Sequence, residues 1–162
     1  MSKNQSKHLI DSGFTKGYLV GPGKKVELSH WPTGNTGPFT EKDDHDMVSS
    51  IQDLNIRNIE KLQNILYASR KAAVLVVFQG IDAAGKDGVI KHVFSGINPQ
   101  GCTVSSFKVP TEEERLHDIL WRVHKKCPER GFIGIFNRSH YEEVLAPRVH
   151  KMKPKEVFRL VF

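Results

Sequence analysis

The chain has 162 residues, and its 24 Lys and Arg against 18 Asp and Glu leave a formal charge of +6 at neutral pH. That charge favours anionic partners such as a nucleotide, a phosphate polymer, nucleic acid or an acidic lipid surface, and the length holds one ordinary domain but not two. Two cysteines without CxxC spacing, Cys102 and Cys127, exclude a disulfide framework and a zinc ribbon. The longest apolar run, over 72–78, falls far short of the roughly 18 residues of a membrane span, so a soluble, cytoplasmic protein is expected.

Residues 1–42 read as an irregular arm. Gly13, Gly17, Gly21-Pro22-Gly23, Pro32, Gly34-Asn35 and Gly37-Pro38 are too dense for a long helix or a central strand. Phe14, Tyr18, Trp31 and Phe39 still give the arm apolar material to lay along a domain surface. The domain itself is expected over 43–162. Met47, Ile51, Leu54, Ile59, Leu62 and Leu66 recur at helical steps and predict an amphipathic packing helix, with Asp43 or Asp44 placed to cap its start.

Val74-Leu75-Val76-Val77-Phe78-Gln79 reads as a buried strand that feeds Gly80-Ile81-Asp82-Ala83-Ala84-Gly85-Lys86-Asp87-Gly88. The spacing is that of the phosphate loop G-x-x-x-x-G-K, whose backbone N–H groups and lysine cradle phosphates at a helix N-terminus. Gly80, Ala83, Ala84, Gly85, Lys86, Asp87 and Gly88 are therefore the expected phosphate-binding residues. Asp87 stands where such loops usually carry Ser or Thr, and Asp82 adds a second carboxylate.

A helix from Lys86 to about Ser95 should follow, closed by Gly96 and Asn98-Pro99-Gln100-Gly101. Cys102 to Phe107 predicts a second strand that ends before Val109-Pro110. Thr111 with Glu114 forms a capping box, and Leu116, Ile119, Leu120 and Val123 predict one helix running to about Lys126. The basic cluster from Arg122 to Lys126 reads as a solvated face. Gly131 to Phe136 predicts a third strand, which delivers Asn137-Arg138-Ser139 to a loop before a helix containing Tyr141 and Glu142. Strands alternating with helices imply an α/β fold, a parallel sheet covered on both faces. Ligands of such sheets bind at the carboxyl ends of the strands, where the Gly80 and Asn137 loops both fall.

Phosphoryl transfer asks the protein for alignment and charge neutralisation. Lys86 places a compact cation at a helix N-terminus, and Arg138 offers the planar fork that clamps phosphate. Asp82 and Asp87 would repel phosphate unless a hard cation intervenes, which points to Mg2+ or Mn2+. Asp87 also suits the first turn of a helix through the dipole alone. Asn137 is placed to accept from a metal-bound water, with Glu142 supplying a carboxylate. Asp82, Lys86 and Arg138 are the expected catalytic residues, and Asp82, Asn137 and Glu142 the expected metal ligands. His92, His117 and His140 lack ligand spacing and read as structural.

The glycine loop, the segment Asn98-Pro99-Gln100-Gly101-Cys102 with Ser106-Phe107-Lys108, and Phe136-Asn137-Arg138-Ser139-His140-Tyr141-Glu142-Glu143-Val144-Leu145 together resemble the polyphosphate kinase 2 family. The likeness runs from about residue 45 to about 155 and includes HDILWR at 117–122. It implies a P-loop kinase-like α/β/α sandwich with a helical lid, and magnesium-dependent transfer of phosphate between inorganic polyphosphate and nucleotides. Its family roles fall on Asp82, Lys86, Asn137, Arg138 and Glu142. Asn137 followed by Ser-His-Tyr-Glu looks like the subgroup that accepts nucleoside monophosphates as well as diphosphates, so ADP, AMP or GDP is the expected nucleotide.

Members of that family continue beyond the second motif with a basic lid, a further strand and helices, so the chain is expected to lack its C-terminal core. Arg148, Lys151 and Lys153 would open the lid that grips polyphosphate. A homo-oligomer is expected of the full-length form, with no membrane partner. Nucleic acid is disfavoured because no interleaved aromatic and basic motif is visible. Two alternatives stand beside this reading: an ATP-dependent nucleoside monophosphate kinase, disfavoured by Asp87, and an inactive polyanion-binding fragment.

Overall fold

The computed structural model describes residues 18–35, 39 and 45–143. Arg148, Lys151 and Lys153 of the expected lid lie outside the described residues, as do Asp43 and Asp44. The chain divides into two compact units, 1–53 and 54–162. In the first, residues 18–35 are irregular apart from a 3-10 turn at Leu28–His30, and Tyr18 meets Trp31 edge to face at 6.3 Å between ring centroids. The amphipathic repeat becomes α1, His45–Ser69. No helix among the described residues is long and apolar enough to cross a membrane.

In the second unit the order is β1 (Val74–Phe78), α2 (Lys86–Val93), β2 (Cys102–Ser106), α3 (Glu112–Arg115), α4 (Trp121–His124) and β3 (Ile133–Asn137). The three strands form a parallel α/β sheet in the order β1-β3-β2. β3 is thus central although it comes last. The ladders run in step, so Phe78, Asn137 and Ser106 end side by side at the carboxyl edge. Two bonds extend them: Arg138 N–H donates to the Phe78 carbonyl at 2.9 Å, and Phe107 N–H donates to that of Asn137 at 3.0 Å.

β3 is buried on both faces, and one face carries a small aromatic core. Phe107 and Phe136 meet edge to face at 4.8 Å, with Val123 of α4 beside them. The flanking strands differ from expectation. Val74, Leu75 and Val77 of β1 are each more than 40% exposed, and Val104 of β2 is 59% exposed. A parallel sheet covered on both faces is therefore realised only at β3. As edge strands, β1 and β2 lack the neighbour that shields β3.

The part of α1 within this unit is locked by Gln63, 2% exposed, whose amide donates to the Asn98 carbonyl at 2.8 Å while its oxygen accepts from Asn98 N–H at 3.0 Å. The expected helix from Glu112 to Lys126 is two short helices instead. The capping box forms as read, with Thr111 and Glu114 bonding each other's backbone N–H. The helix then stops because Asp118 turns its carboxylate onto Leu120 N–H at 2.8 Å and starts a new turn.

Arg122 also departs from the solvated face assigned to it. It is 6% exposed, and donates to the Lys108 carbonyl at 2.9 Å, Glu114 at 3.3 Å and Glu143 at 2.7 Å. A further constraint sits in β3. A Cβ added at Gly134 would meet the Pro128 ring at 2.8 to 3.1 Å, and a proline ring cannot swing aside. Gly134→Ala is expected to cost about 1–3 kcal/mol, the range for overpacking a core. The shift of the urea midpoint at constant m measures it.

Candidate phosphate-binding site

The turn from β1 into α2 is shaped by two left-handed residues, Ala83 at φ +62° and Gly85 at φ +81°. At Gly85 nothing would touch a Cβ, so glycine is there for backbone conformation. Ala83 lacks that freedom, and its strained φ belongs to the kind often found at ligand clamps. Lys86 folds its ammonium back over the loop and donates to the Gly80 carbonyl at 2.9 Å and the Ile81 carbonyl at 2.7 Å. Two of its three donors are thereby used, and the charge is pinned above the loop.

Across from the loop stands the end of β3. Arg138 is, after Ala83, a second left-handed non-glycine residue of the site, at φ +68°, and its guanidinium pairs with Asp82 of the loop. Asn137 donates through Nδ2 to Asp87 at the start of α2. Both expected motifs therefore meet. Residues 82–88, 106–109, Asn137 and Arg138 line one open cleft of about 760 Å³.

The remaining site residues distribute unevenly. Gly80 lies at the base of the loop, where Lys86 takes its carbonyl. Glu142 does not line the cleft. Its two oxygens face Gln79, at 2.7 Å, and Arg138, at 3.6 Å, rather than Asp82 and Asn137. Among the described residues no three His, Cys, Asp or Glu side chains gather as a metal-binding group. His117 stacks on Trp121 at 3.9 Å, remote in sequence from the two motifs. Burial pushes the Cys102 thiol above its ordinary value.

Sequence reasoning quoted Lys108 within the second motif but gave it no role, and it forms the cleft wall with Ser106 and Val109. Its signal was present: it follows the second strand directly, at the same carboxyl edge as both motifs. Lys86, Lys108 and Arg138 thus bring three cations to a cleft that holds two carboxylates. A cleft floored by a left-handed glycine turn, backed by a helix N-terminus and faced by an arginine from the adjacent strand is the architecture of a P-loop-like domain.

Comparison with known proteins narrows that class. Residues 41–161 match the family described as Polyphosphate kinase 2 (PPK2), and the chain belongs to this family. It is 54% identical over 136 residues to the ADP-polyphosphate phosphotransferase of Rhodopseudomonas palustris, covering 84% of this chain and 46% of that protein. It is 46% identical over 144 residues to the AMP/ADP-polyphosphate phosphotransferase of Meiothermus ruber, covering 89% and 53%. The crystal structure of polyphosphate kinase 2 from Arthrobacter aurescens TC1 superposes with a TM-score of 0.79 at 32% identity, covering 90% of this chain and 51% of that one. The chain spans about half the length of the curated relatives it matches.

Proposed function

We propose that the protein transfers phosphoryl groups between inorganic polyphosphate and nucleoside mono- or diphosphates, forming ADP or ATP from AMP or ADP, or acting on the guanosine pair. The observation that carries this reading is the single cleft in which the glycine loop, Lys108 and Asn137-Arg138 converge, in a chain whose relatives are named for this chemistry. Homologues named for AMP and for GDP leave the nucleotide to experiment.

In this reading the loop amides and the α2 N-terminus bind a terminal phosphate, where the helix dipole favours negative charge. Lys86 and Arg138 neutralise the charge spread over the moving group, from opposite sides of the cleft. Lys108 holds a neighbouring stretch of polyanion on the third wall. The oxygen of the incoming nucleotide's terminal phosphate bonds to phosphorus as the bridging bond of the donor chain breaks, and the shortened chain leaves with the electron pair.

The donor set suits magnesium. Mg2+ is commonly held by one or two carboxylates with waters and substrate phosphates, and Asp82, Asp87 and the Asn137 amide oxygen offer that chemistry. The bound ion would add a Lewis acid at the phosphate oxygens. The Arg138–Asp82 and Asn137–Asp87 contacts then hold the two carboxylates at the cleft until phosphate and metal compete for them. The same reading places the protein in the cytoplasm, as a homo-oligomer and without a nucleic-acid partner.

Incubating the chain with polyphosphate, Mg2+ and AMP, ADP or GDP is expected to yield the next higher nucleotide on anion-exchange chromatography, and EDTA is expected to stop it. ATP offered as donor should not replace polyphosphate. Folded protein that binds polyphosphate with steep salt dependence but never turns over would establish the polyanion-binding alternative instead.

A further inference from the structure

We infer that Glu142 is a positioning residue for Arg138, held by Gln79 and the buried Ser139, so that Arg138 has one lasting and one exchangeable carboxylate partner. The relay starts one residue before the glycine loop. Gln79 Nε2 donates to Glu142 Oε1 at 2.7 Å, while Gln79 Oε1 accepts from Ser139 Oγ at 3.1 Å. A flipped amide would set its oxygen against the carboxylate, so the two bonds fix which end of Gln79 faces Glu142. Ser139 is 1% exposed and also accepts from Tyr141 N–H at 3.2 Å, which anchors the far end.

Glu142 Oε2 then faces Arg138 at 3.6 Å. The backbone of Arg138 is held independently by its N–H bond to the Phe78 carbonyl. Both the backbone and the outer nitrogen of Arg138 are therefore tied to groups outside the cleft lining. Its other nitrogen meets Asp82, whose side chain is 84% exposed and belongs to the cleft. A phosphate entering the cleft competes for the Asp82 contact and leaves the Glu142 contact in place. Gln79 thereby couples the strand that carries the loop to the arginine that faces it. What Arg138 contacts rests on the proposed phosphate transfer; the relay itself does not.

The test uses the full chain, 15N-labelled, with the Arg138 guanidinium signals assigned by their loss in Arg138→Lys. Rotation about Cζ–Nε is expected to quicken about 3- to 10-fold in Gln79→Leu and in Glu142→Ala, through loss of the charge-assisted Gln79–Glu142 hydrogen bond in the first and of the Arg138–Glu142 ion pair in the second. Gln79 is exposed, so its replacement leaves the fold standing. Tripolyphosphate affinity of Glu142→Ala should fall by about the same 3- to 10-fold factor in Mg2+ and in EDTA. Unchanged rotation in both variants overturns the relay, and an affinity loss confined to Mg2+ makes Glu142 a metal ligand instead. A wild-type chain that binds no tripolyphosphate overturns the phosphate-transfer reading, and guanidinium rotation then still decides the relay.

Discussion

Lys86→Ala is expected to reduce polyphosphate-dependent nucleotide formation by about 10²- to 10³-fold, the usual consequence of removing one preorganised charge from a developing transition state. The ammonium is held above the loop by the Gly80 and Ile81 carbonyls, so its position is set before substrate arrives. Alanine removes the charge and returns both carbonyls to water. Lys86 is half-buried and gives up two hydrogen bonds to carbonyls that water then takes, so stability should change by no more than about 1 kcal/mol. Lys86→Arg separates charge from shape: a planar fork cannot reproduce two converging bonds from one nitrogen, so it is expected to lose at least about tenfold. Steady-state kcat and KM with a parallel urea titration make the measurement. Full activity in Lys86→Ala, or unaltered polyphosphate affinity, would refute the assignment of the loop.

The largest expected effect on stability is at Arg122. Arg122→Ala should cost about 3–5 kcal/mol, because breaking a buried ion pair by removing one partner strands the other. Glu143 is the stranded group, its side chain 17% exposed and its oxygen 2.7 Å from the guanidinium. The Lys108 carbonyl and the stacking of Arg122 over Phe107, 5.4 Å to the ring centroid, are lost with it. Arg122→Lys keeps a charge but cannot bridge Glu114 and Glu143 at once, and should fall between the two. Urea midpoints at pH 7 give the ranking. Arg122 also braces the backbone of a cleft residue, Lys108, so the lysine variant is expected to raise KM for polyphosphate.

An acid limb accompanies this cluster. The Thr111 N–H, and after it the Arg122 guanidinium, hold the Glu114 carboxyl below its ordinary value of about 4.5 against some desolvation. A folded value below the unfolded one contributes stability that is complete above the unfolded value and lost as pH falls through the folded one. Wild-type protein is therefore expected to lose this contribution below about pH 4.5. Glu114→Gln should flatten that limb.

Local chemistry made much of the site readable. The glycine turn with Lys86 and the Thr111–Glu114 box depend on neighbours a few residues away and formed as read, and the apolar runs did become strands, although β1 is exposed where a buried strand was expected and β3 runs Ile133–Asn137 rather than from Gly131 to Phe136. Reading failed where a side chain acts across the fold. Leu116, Ile119, Leu120 and Val123 carry a helical period, yet Asp118 interrupts it with one bond to Leu120 N–H. Arg122 sits in a basic cluster that looks solvated, and only Glu114, Glu143 and the Lys108 carbonyl make it a buried hub. Glu142, matched to a metal by its distance from Asn137 along the chain, also bonds Gln79, a contact 63 residues away that the sequence does not show.

The sequence by itself determined that a phosphate loop with two carboxylates follows a strand, and that Asn137-Arg138 follows another. Those features are contiguous, and glycine conformation, dipole and apolar run length act within a few residues. Only the tertiary structure decided that β3 inserts between β1 and β2, because strand order depends on pairing energies between segments 59 and 31 residues apart, Val74 with Ile133 and Cys102 with Ile133. That insertion sets Phe78, Asn137 and Ser106 abreast, faces Arg138 to Asp82 and brings Lys108 to the same cleft.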